Sequence, residues 1–422
     1  MSATTTTYRR ALEALRNGVP NADAVRVLGC GQTHVEEAFR ELLAKTSDAL
    51  EAEEQLPGIL VAGDFGTGKS HLLEYLEQLS LDTNFAVSRV VISKETPLYD
   101  PAKLFRAAAQ SAQIPGHVGN GIREAAHRLD PKKAGYAEFY RWACSEDSPV
   151  APLFGASLFL HERLGNDPEL VDRVVGFWSG DPISVASVRQ GLRETGGLAA
   201  FVVRAVPTRQ LAVQRFAFAT QLMLAAGYSG WVVLIDELEL IGRYSLLQRG
   251  RSYSELARWM GRVENDQFPG MLTIGAITED FGPSVLDGKT DRDYVGPKLR
   301  TKDTDEYFVY AAQAEVGMRL IDREAMSLVP PGDAELTGLY DRLREIHSGA
   351  YGWEAPQLEF SRGGMTTRVR AYVRRWINEW DLLRLYPGIA LATEEVDLRP
   401  SYSEMHELEV EPESDPATPG AE

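Results

Sequence analysis

Residues 57–79 read PGILVAGDFGTGKSHLLEYLEQL, and this stretch predicts the fold of the 422-residue chain. A short apolar segment at 59–62 has the length and composition of a buried strand. It is followed at 63–70 by the pattern G-x-x-x-x-G-K-S, after which helical spacing runs from 71 to 79. Because strand, glycine-rich turn and helix stand in register, the stretch predicts a phosphate-binding loop in an α/β protein.

Each residue type in this loop has a chemical use at a nucleoside triphosphate. Glycines let successive backbone N–H groups turn inward and cradle phosphate oxygens, and the N-terminus of the following helix adds partial positive charge. Lys69 is predicted to bind the β- and γ-phosphates, and the Ser70 hydroxyl to bind Mg²⁺. The predicted nucleotide-binding residues of the loop are Gly63, Asp64, Phe65, Gly66, Thr67, Gly68, Lys69 and Ser70.

A second apolar segment, WVVLIDE at 231–237, ends in two acidic residues. A strand buried in a parallel sheet delivers its C-terminal side chains to the crevice where ligands bind. We therefore predict that Asp236 binds Mg²⁺ and that Glu237 orients and deprotonates an attacking water. The adjacent acids, and a sequence without the N-K-x-D guanine signature, favour ATP hydrolysis over GTP hydrolysis or small-molecule phosphorylation.

Further apolar segments alternate with helical patterns along the chain. Strand candidates at 85–93 and 271–278 join the two above, and this alternation predicts a parallel sheet with helices on both faces. Residues 101–227 carry mainly helical patterns, and the pattern from 305 to 385 is again helical. Since the stretch 101–227 is longer than the sheet needs, it is predicted to contain a helical insertion.

The chain carries 61 acidic and 44 basic residues, which gives a formal net charge of −17. Ten acids and one base fall in 391–422, a Pro-containing segment that we predict to be disordered. This tail is interpreted as solubilising, with docking of a basic partner as the alternative. Two cysteines, no apolar run of membrane-spanning length and no secretory leader indicate a cytoplasmic protein without a membrane partner.

Three further residues are candidates for completing the site. Thr278 ends the last strand candidate, where it is placed to hydrogen-bond the attacking water or the γ-phosphate; a plain strand-end cap is the alternative. Arg300 follows that strand and is the candidate for reaching the γ-phosphate of a neighbouring subunit, with Arg292 or a plain surface role as alternatives. In SRGGMTTRVRAYVRRW at 361–376, a helix is predicted to begin near Arg368, the candidate for closing onto bound nucleotide.

With these residues in place, the chain resembles the AAA+ branch of P-loop ATPases near the Orc-like group, and more closely the BREX phage-defence ATP-binding proteins. Beside the phosphate loop, the resemblance rests on RRALEALRNGVP (9–20), VVISKETPLYDPAKLF (90–105), WVVLIDELELIGR (231–243) and GAITEDFG (275–282). It implies a five-stranded sheet, a C-terminal helical lid and ATP sites shared between subunits. The residues onto which it carries ATP and Mg²⁺ chemistry are Lys69, Ser70, Asp236, Glu237, Thr278, Arg300 and Arg368.

On this resemblance the chain divides into four segments. They are an N-terminal helical segment at 1–50, an AAA+ core at 51–304 with the insertion at about 101–227, a helical lid at 305–390 and the acidic tail at 391–422. The winged-helix domain usual in Orc-type proteins has no counterpart after the lid, which weakens the expectation of autonomous DNA binding.

The function that these features favour is an ATP-hydrolysing AAA+ motor or switch of a phage-defence system. The resemblance implies self-association or hetero-assembly, and a helicase or other defence protein as the partner that acts on DNA. Two alternatives stay open. One is a regulatory module that orders its insertion on ATP binding and hydrolyses slowly, and the other is a DNA loader that contacts nucleic acid through the arginine-rich helix.

Overall fold

The computed structural model describes residues 3–163, 167–264, 266–358 and 369–389. Its strands are β1 (Ile59–Ala62), β2 (Ala86–Val91), β3 (Trp231–Asp236), β4 (Met271–Ile277) and β5 (Met326–Ser327). The helices before β3 are α1 (Ala3–Asn17), α2 (Ala22–Leu28), α3 (Thr33–Glu51), α4 (Lys69–Asp82), α5 (Pro101–Ser111), α6 (Gly121–His127), α7 (Ala134–Cys144), α8 (Pro152–Arg163), α9 (Pro168–Trp178), α10 (Val185–Glu194) and α11 (Thr208–Ala225). Those after β3 are α12 (Leu246–Trp259), α13 (Asp291–Arg300), α14 (Asp305–Arg319), α15 (Asp333–Tyr351) and α16 (Val369–Leu385).

The five strands form one parallel sheet in the order β2-β3-β4-β1-β5. The predicted α/β fold with a parallel five-stranded sheet is therefore confirmed. From β1 the chain crosses to the far edge, returns through β3 and β4, and then passes β1 to reach β5. The strand order thus reverses at β1, and sheets of this kind bind ligands beyond the carboxyl ends of the strands at that point.

Strand β5 lies within 305–385, where the sequence pattern predicts helix. It consists of two residues, which pair with Val61 and Ala62 of β1. The strand is continued by a hydrogen bond from the Leu328 N–H to the Ala62 carbonyl (2.7 Å). A segment of two residues is too short to show the two-residue alternation of a strand, which explains the difference.

Both faces of the sheet are covered, so alternate residues of each strand enter different cores. Val61, Val232 and Ile274 pack with α3 and α4 through side chains such as Phe39 and Leu72. The opposite face enters a larger core; its members include Leu60, Trp231, Val233, Phe105, Phe154, Phe216 and Trp259. Strands β1, β3 and β4 are buried throughout, and apart from Asp236 and Thr273 their residues are apolar, as expected for a doubly covered parallel sheet.

Helices α1, α2, α15 and α16 form a second body, called here the helical unit, with its own apolar core. Leu12, Tyr340, Ile346 and Trp376 are among its buried members. The sheet and all helices from α3 to α14 are called the sheet unit. The predicted segments 1–50 and 305–390 each contribute to both units, because α3, α14 and β5 belong to the sheet unit.

A polar chain crosses the helical unit. The indole N–H of Trp353 donates to His347 Nδ1 (2.9 Å), so the His347 proton lies on Nε2, which donates to Asp381 (3.2 Å). Arg16 also donates to Asp381 (2.6 Å), which joins α1 to α16. The first helix is therefore built into the same body as the last described one.

Two linkers connect the units, and they are clasped together. One is Gly29–Gln32, between α2 and α3, and the other runs from 328 to 332, between β5 and α15. The side-chain amide of Gln32 donates to the Val329 carbonyl (2.9 Å) and accepts from the Val329 N–H (2.9 Å). These paired bonds fix the linkers side by side.

The predicted insertion at 101–227 also has two parts. Helices α5 and α11 contact each other and pack on the sheet, whereas α6 to α10 form a layer outside them. The predicted tail at 391–422 lies outside the described residues. Within those residues, no helix is both long and apolar enough to cross a membrane.

Candidate nucleotide-binding site

The predicted phosphate loop joins β1 to the first turn of α4. Gly66 (φ 82°) and Gly68 (φ 110°) have left-handed backbones, which glycine adopts without strain, and α4 begins at Lys69. A Cβ at Gly63 would lie 2.8 Å from Thr67 Oγ1 and 3.0 Å from Leu328 Cδ1, so only glycine fits there. The loop therefore has the backbone geometry of a phosphate nest at a helix N-terminus.

Lys69 is buried, although it carries a charge. Its Nζ donates to the Gly63 carbonyl (2.7 Å) and lies 3.7 Å from Glu239 Oε1 and 5.0 Å from the centre of the Phe65 ring. The ammonium is thus held inside the loop, at the position where backbone N–H groups converge. A buried cation there attracts phosphate more strongly than an exposed one, because water screens it less.

The acidic end of β3 lies next to this loop. Asp236 is 4% exposed; its Oδ1 accepts from the Glu237 N–H (3.0 Å), and its Oδ2 accepts from Arg89 Nη2 (2.9 Å). Arg89 also donates to the Ser70 carbonyl (3.4 Å). The two predicted Mg²⁺ ligands, Ser70 and Asp236, are therefore connected through one guanidinium.

Glu237 has a left-handed backbone (φ 61°), which is uncommon for a residue with a side chain. Burial raises the pKa of its carboxyl group and the Asp236 charge raises it further, whereas the positive charges of Lys69, Arg370 and Arg243 lower it. A strained backbone that aims a carboxylate of raised pKa beside a buried lysine is the arrangement expected of a general base.

Two charged residues of the site were not predicted from the sequence. Arg89 is a charged residue inside the strand candidate 85–93, and Glu239 is the third acid of WVVLIDELELIGR. Each departs from the apolar pattern around it, which was the available signal. Glu239 is 2% exposed, and mainly because of this burial its carboxyl pKa is raised to about 7.

Thr278 and Arg300 have different surroundings. The Gly63 N–H donates to the carbonyl of Ile277 (3.1 Å), which places the buried Thr278 beside the start of the phosphate loop. Arg300 lies on α13 with its side chain 45% exposed and bonded to Glu315 of α14 (2.9 Å). The structure thus brings Thr278 to the loop and leaves Arg300 on a surface of the sheet unit.

Arg368 lies outside the described residues, and the next arginine reaches the site. Helix α16 begins at Val369, and the Arg370 N–H donates to the Gly66 carbonyl (3.1 Å). Farther along the helix, Arg374 donates to the Arg16 carbonyl (2.9 Å) and Arg375 to Glu379 (2.7 Å). These arginines are engaged within the chain, which lends the DNA-loader alternative no support.

A cavity of about 480 Å³ lies between the two units beside the phosphate loop. This volume is within the range of small-molecule sites. The sheet unit contributes the loop, His71 and the linker with Cys30, while the helical unit contributes apolar and basic side chains and the acidic Glu335. The lining residues from the helical unit include Leu15, Val27, Leu28, Leu339, Arg342, Val369, Arg370 and Val373.

The residues present fit a phosphate-bound Mg²⁺ ion. In the described ranges no group of three or more His, Cys, Asp or Glu side chains is arranged to hold a metal ion. Mg²⁺ at a phosphate loop needs no such group, since it takes one or two protein oxygens together with phosphates and waters. The Ser70 hydroxyl and the Asp236 carboxylate are oxygen donors of this kind, at the edge of a loop whose glycines leave room for phosphate.

Comparison with known families agrees with this geometry. The family model described as BREX system ATP-binding protein BrxC/D matches residues 4–120 and 198–358, about two thirds of the chain. The chain belongs to the BrxC/D family. ATP binding and a role in phage defence follow from this membership. The comparisons with curated proteins and with solved structures found no match.

The match to BrxC/D covers every element that builds the site except α16. It includes both linkers, the phosphate loop, the acidic end of β3 and Thr278. It leaves out 121–197, the range of helices α6 to α10. The outer helical layer is therefore, together with residues 359–422, a part of this chain that the family model does not describe.

Proposed function

We propose that this BrxC/D protein hydrolyses ATP to ADP and phosphate. The observation that carries the proposal is the meeting of Lys69, Asp236 and Glu237 at one edge of the sheet, although Lys69 lies far from the two acids in the sequence. Family membership supplies ATP binding, and the acidic pair is the feature that adds hydrolysis to it. A half-buried carboxylate of raised pKa at this position is suited to accept a proton from water.

The residues of the chain divide the chemistry among them. Backbone N–H groups of the loop and Lys69 bind the phosphates and take up the charge that develops in the transition state. Glu237 accepts a proton from water as the water oxygen bonds to the γ-phosphorus and the bond to the ADP oxygen breaks. Thr278 holds the attacking water in line. Ser70 and Asp236 would hold Mg²⁺, which when bound neutralises negative charge on the phosphate oxygens.

Arg370 is a second candidate, beside Arg368, for contacting bound nucleotide. Its backbone already bonds to the phosphate loop, and its charge acts on Glu237. A guanidinium at this point would contact the terminal phosphates and report their presence to α16. The helical unit would in this way respond to the bound nucleotide.

Glutamine at position 237 tests the proposal directly. The Glu237→Gln protein should keep ATP affinity and lose turnover by about 10²-fold or more, since the amide cannot accept the proton. ATP binding is measured by titration and hydrolysis by phosphate release. The matched control is Glu77→Gln, a buried glutamate of α4 whose oxygen accepts from Gln113 and would still accept as an amide. Unchanged turnover in the Glu237→Gln protein would remove Glu237 from the mechanism.

We further propose that turnover is coupled to assembly and to a DNA-acting partner such as a helicase. The exposed Arg300 supports an assembly role, because a residue that acts on a neighbouring subunit must lie on a surface. Mixing Arg300→Ala subunits with Glu237→Gln subunits tests this: restored turnover in the mixture would support action between subunits, and no restoration would count against it. Hydrolysis measured with and without DNA, and with the products of neighbouring genes, tests the partner.

A further inference from the structure

Glu239 is a buried acid whose carboxylate oxygens accept no hydrogen bond from another described side chain, its own backbone N–H being the hydrogen-bond donor that acts on it. It lies in the helical turn Leu238–Arg243 that follows β3, and its side chain is 3% exposed. The nearest cation is Lys69, whose Nζ is 3.7 Å from Glu239 Oε1. The other charges that act on it are the carboxylates of Asp236 and Glu237.

A structural role does not explain this side chain. Buried carboxylates that stabilise a fold accept hydrogen bonds, and a buried polar atom without one is destabilising. The nearby carboxylates of Asp236 and Glu237 repel the Glu239 charge, so they do not offset the cost of burying it. Among the described side chains that act on Glu239, Lys69 is the cation that stabilises its charge.

The charge of Glu239 and a nucleotide phosphate act on the same ammonium. Lys69 carries one positive charge, and its hydrogen bonds go to the carbonyls of Gly63 and Asp64 in the phosphate loop. A phosphate bound by that loop would therefore lie close to Glu239. Water screens charges only weakly in these buried surroundings. The two negative groups repel each other across Lys69, and each reduces the attraction that Lys69 offers to the other.

We propose that Glu239 sets the nucleotide affinity of the site: when it is ionised, its charge opposes phosphate binding at Lys69 and speeds nucleotide release. This inference rests on the proposed function, since it needs a nucleotide phosphate at Lys69. It assigns Glu239 a part different from that of Glu237. Glu237 takes a proton from water, whereas Glu239 acts through Lys69 and is a positioning residue.

Two substitutions at Glu239 test the inference. Glu239→Gln keeps the shape and removes the charge, and Glu239→Met also removes the polar atoms. Both should slow the release of fluorescent ADP about tenfold at pH 8.5, where Glu239 is ionised, when release is followed by stopped-flow fluorescence in EDTA. EDTA keeps divalent metal out of the measurement, so that Asp236 and Ser70 do not contribute through it. The matched control is again Glu77→Gln, which should release ADP at the rate of the unchanged chain.

Adenosine distinguishes a charge effect from a packing effect. It has no phosphate, so its affinity, measured by competition, should change by less than about twofold in either variant. Unchanged or faster ADP release in the variants would overturn the inference, as would equal tightening of ADP and adenosine. If neither variant folds by circular dichroism, Glu239 is a structural residue and the inference fails. Failure of the unchanged chain to bind ADP or ATP would instead overturn the proposed function, before any substitution is made.

Discussion

The guanidinium of Arg89 holds together parts of the site that come from three elements. From β2 it donates to Asp236 on β3 (2.9 Å), to the Ser70 carbonyl at the start of α4 and to Glu74 one turn later (3.3 Å). Burial and the neighbouring Glu77 raise the pKa of the Glu74 carboxyl to about 7, and Arg89 opposes this rise. Arg89 is therefore the cation that keeps a group of buried acids compatible with the fold.

Replacing Arg89 by methionine should destabilise the protein in a pH-dependent way. The Arg89→Met protein leaves Asp236 and Glu74 without their cation, at an expected cost of about 2 kcal/mol in the free energy of unfolding at pH 8. At pH 5 the loss should be smaller, because Glu74 then carries a proton and needs no cation. Urea unfolding at the two pH values measures the difference. The control is Arg123→Met, which removes a partly exposed ion pair with Asp172 and should cost little at either pH.

The sequence predicts site residues that form contiguous motifs, but it does not predict residues that only tertiary contacts bring to the site. The phosphate loop and the adjacent acids at 236 and 237 are contiguous motifs, so their residue types and spacing were sufficient. Arg370 was not predicted, because only the packing of α16 brings its backbone N–H to the Gly66 carbonyl. Arg368 lies outside the described residues, so its role stays a prediction. The bond from His71 to the Gly29 carbonyl (2.7 Å) joins distant positions that no spacing rule connects.

Helices α12 and α14 cross at very close range in the sheet unit. A Cβ at Gly317 of α14 would lie 2.0 Å from the Tyr253 carbonyl oxygen of α12, so the two backbones are almost in contact there. Since α14 leads through a short helical turn to β5, this crossing positions the strand that borders β1. The hydrophobic periodicity predicts helix in the range of α14 but does not predict this close crossing. Periodicity shows which face of a helix is buried, not how close the helix lies to its neighbour.

Gly317→Ala should therefore destabilise the protein, although alanine is the better helix former. The added methyl group collides with backbone, which cannot move aside as a side chain can, and the expected loss is about 3 kcal/mol in the free energy of unfolding. Gly338→Ala on α15 is the control, since a Cβ there has open space and alanine should stabilise that helix slightly. Equal stability of the two variants in urea titrations would show that the crossing is looser than the structure has it.

The whole molecule contains acids whose pKa values are shifted in opposite directions. Burial raises the pKa of Glu74 and of Glu239 from 4.5 to about 7. Asp381, although burial opposes the shift, has a lowered pKa because of His347 and Arg16, and Asp322 has a lowered pKa because of Arg292. Glu74 and Glu239 favour the folded state when protonated, whereas Asp381 and Asp322 favour it when ionised. The free energy of unfolding should therefore be largest at mildly acidic pH.

The sign of the effect follows from proton binding. Between pH 4.5 and 7 the folded chain holds protons on Glu74 and Glu239 that the unfolded chain has released, so stability should fall as the pH rises through this window. The expected decrease is on the order of 2 kcal/mol, after allowance for partial exposure. Below about pH 4, protonation of Asp381 and Asp322 should lower stability again. Urea unfolding from pH 3.5 to 8 measures this dependence on pH. In a Glu74→Gln/Glu239→Gln protein the free energy of unfolding should change less between pH 4.5 and 7.

The clasp between Gln32 and Val329 limits how the molecule can move as a whole. Two bodies joined by one flexible segment can rotate relative to each other in any direction. Two linkers held side by side restrict the relative motion to rotation about a single axis. The cavity lies between the bodies, so turning about this axis changes its width and carries Arg370 toward or away from Gly66. If Arg370 contacts a nucleotide phosphate as proposed, we expect α1, α2, α15 and α16 to turn together, with the largest displacement at the edge farthest from the two linkers.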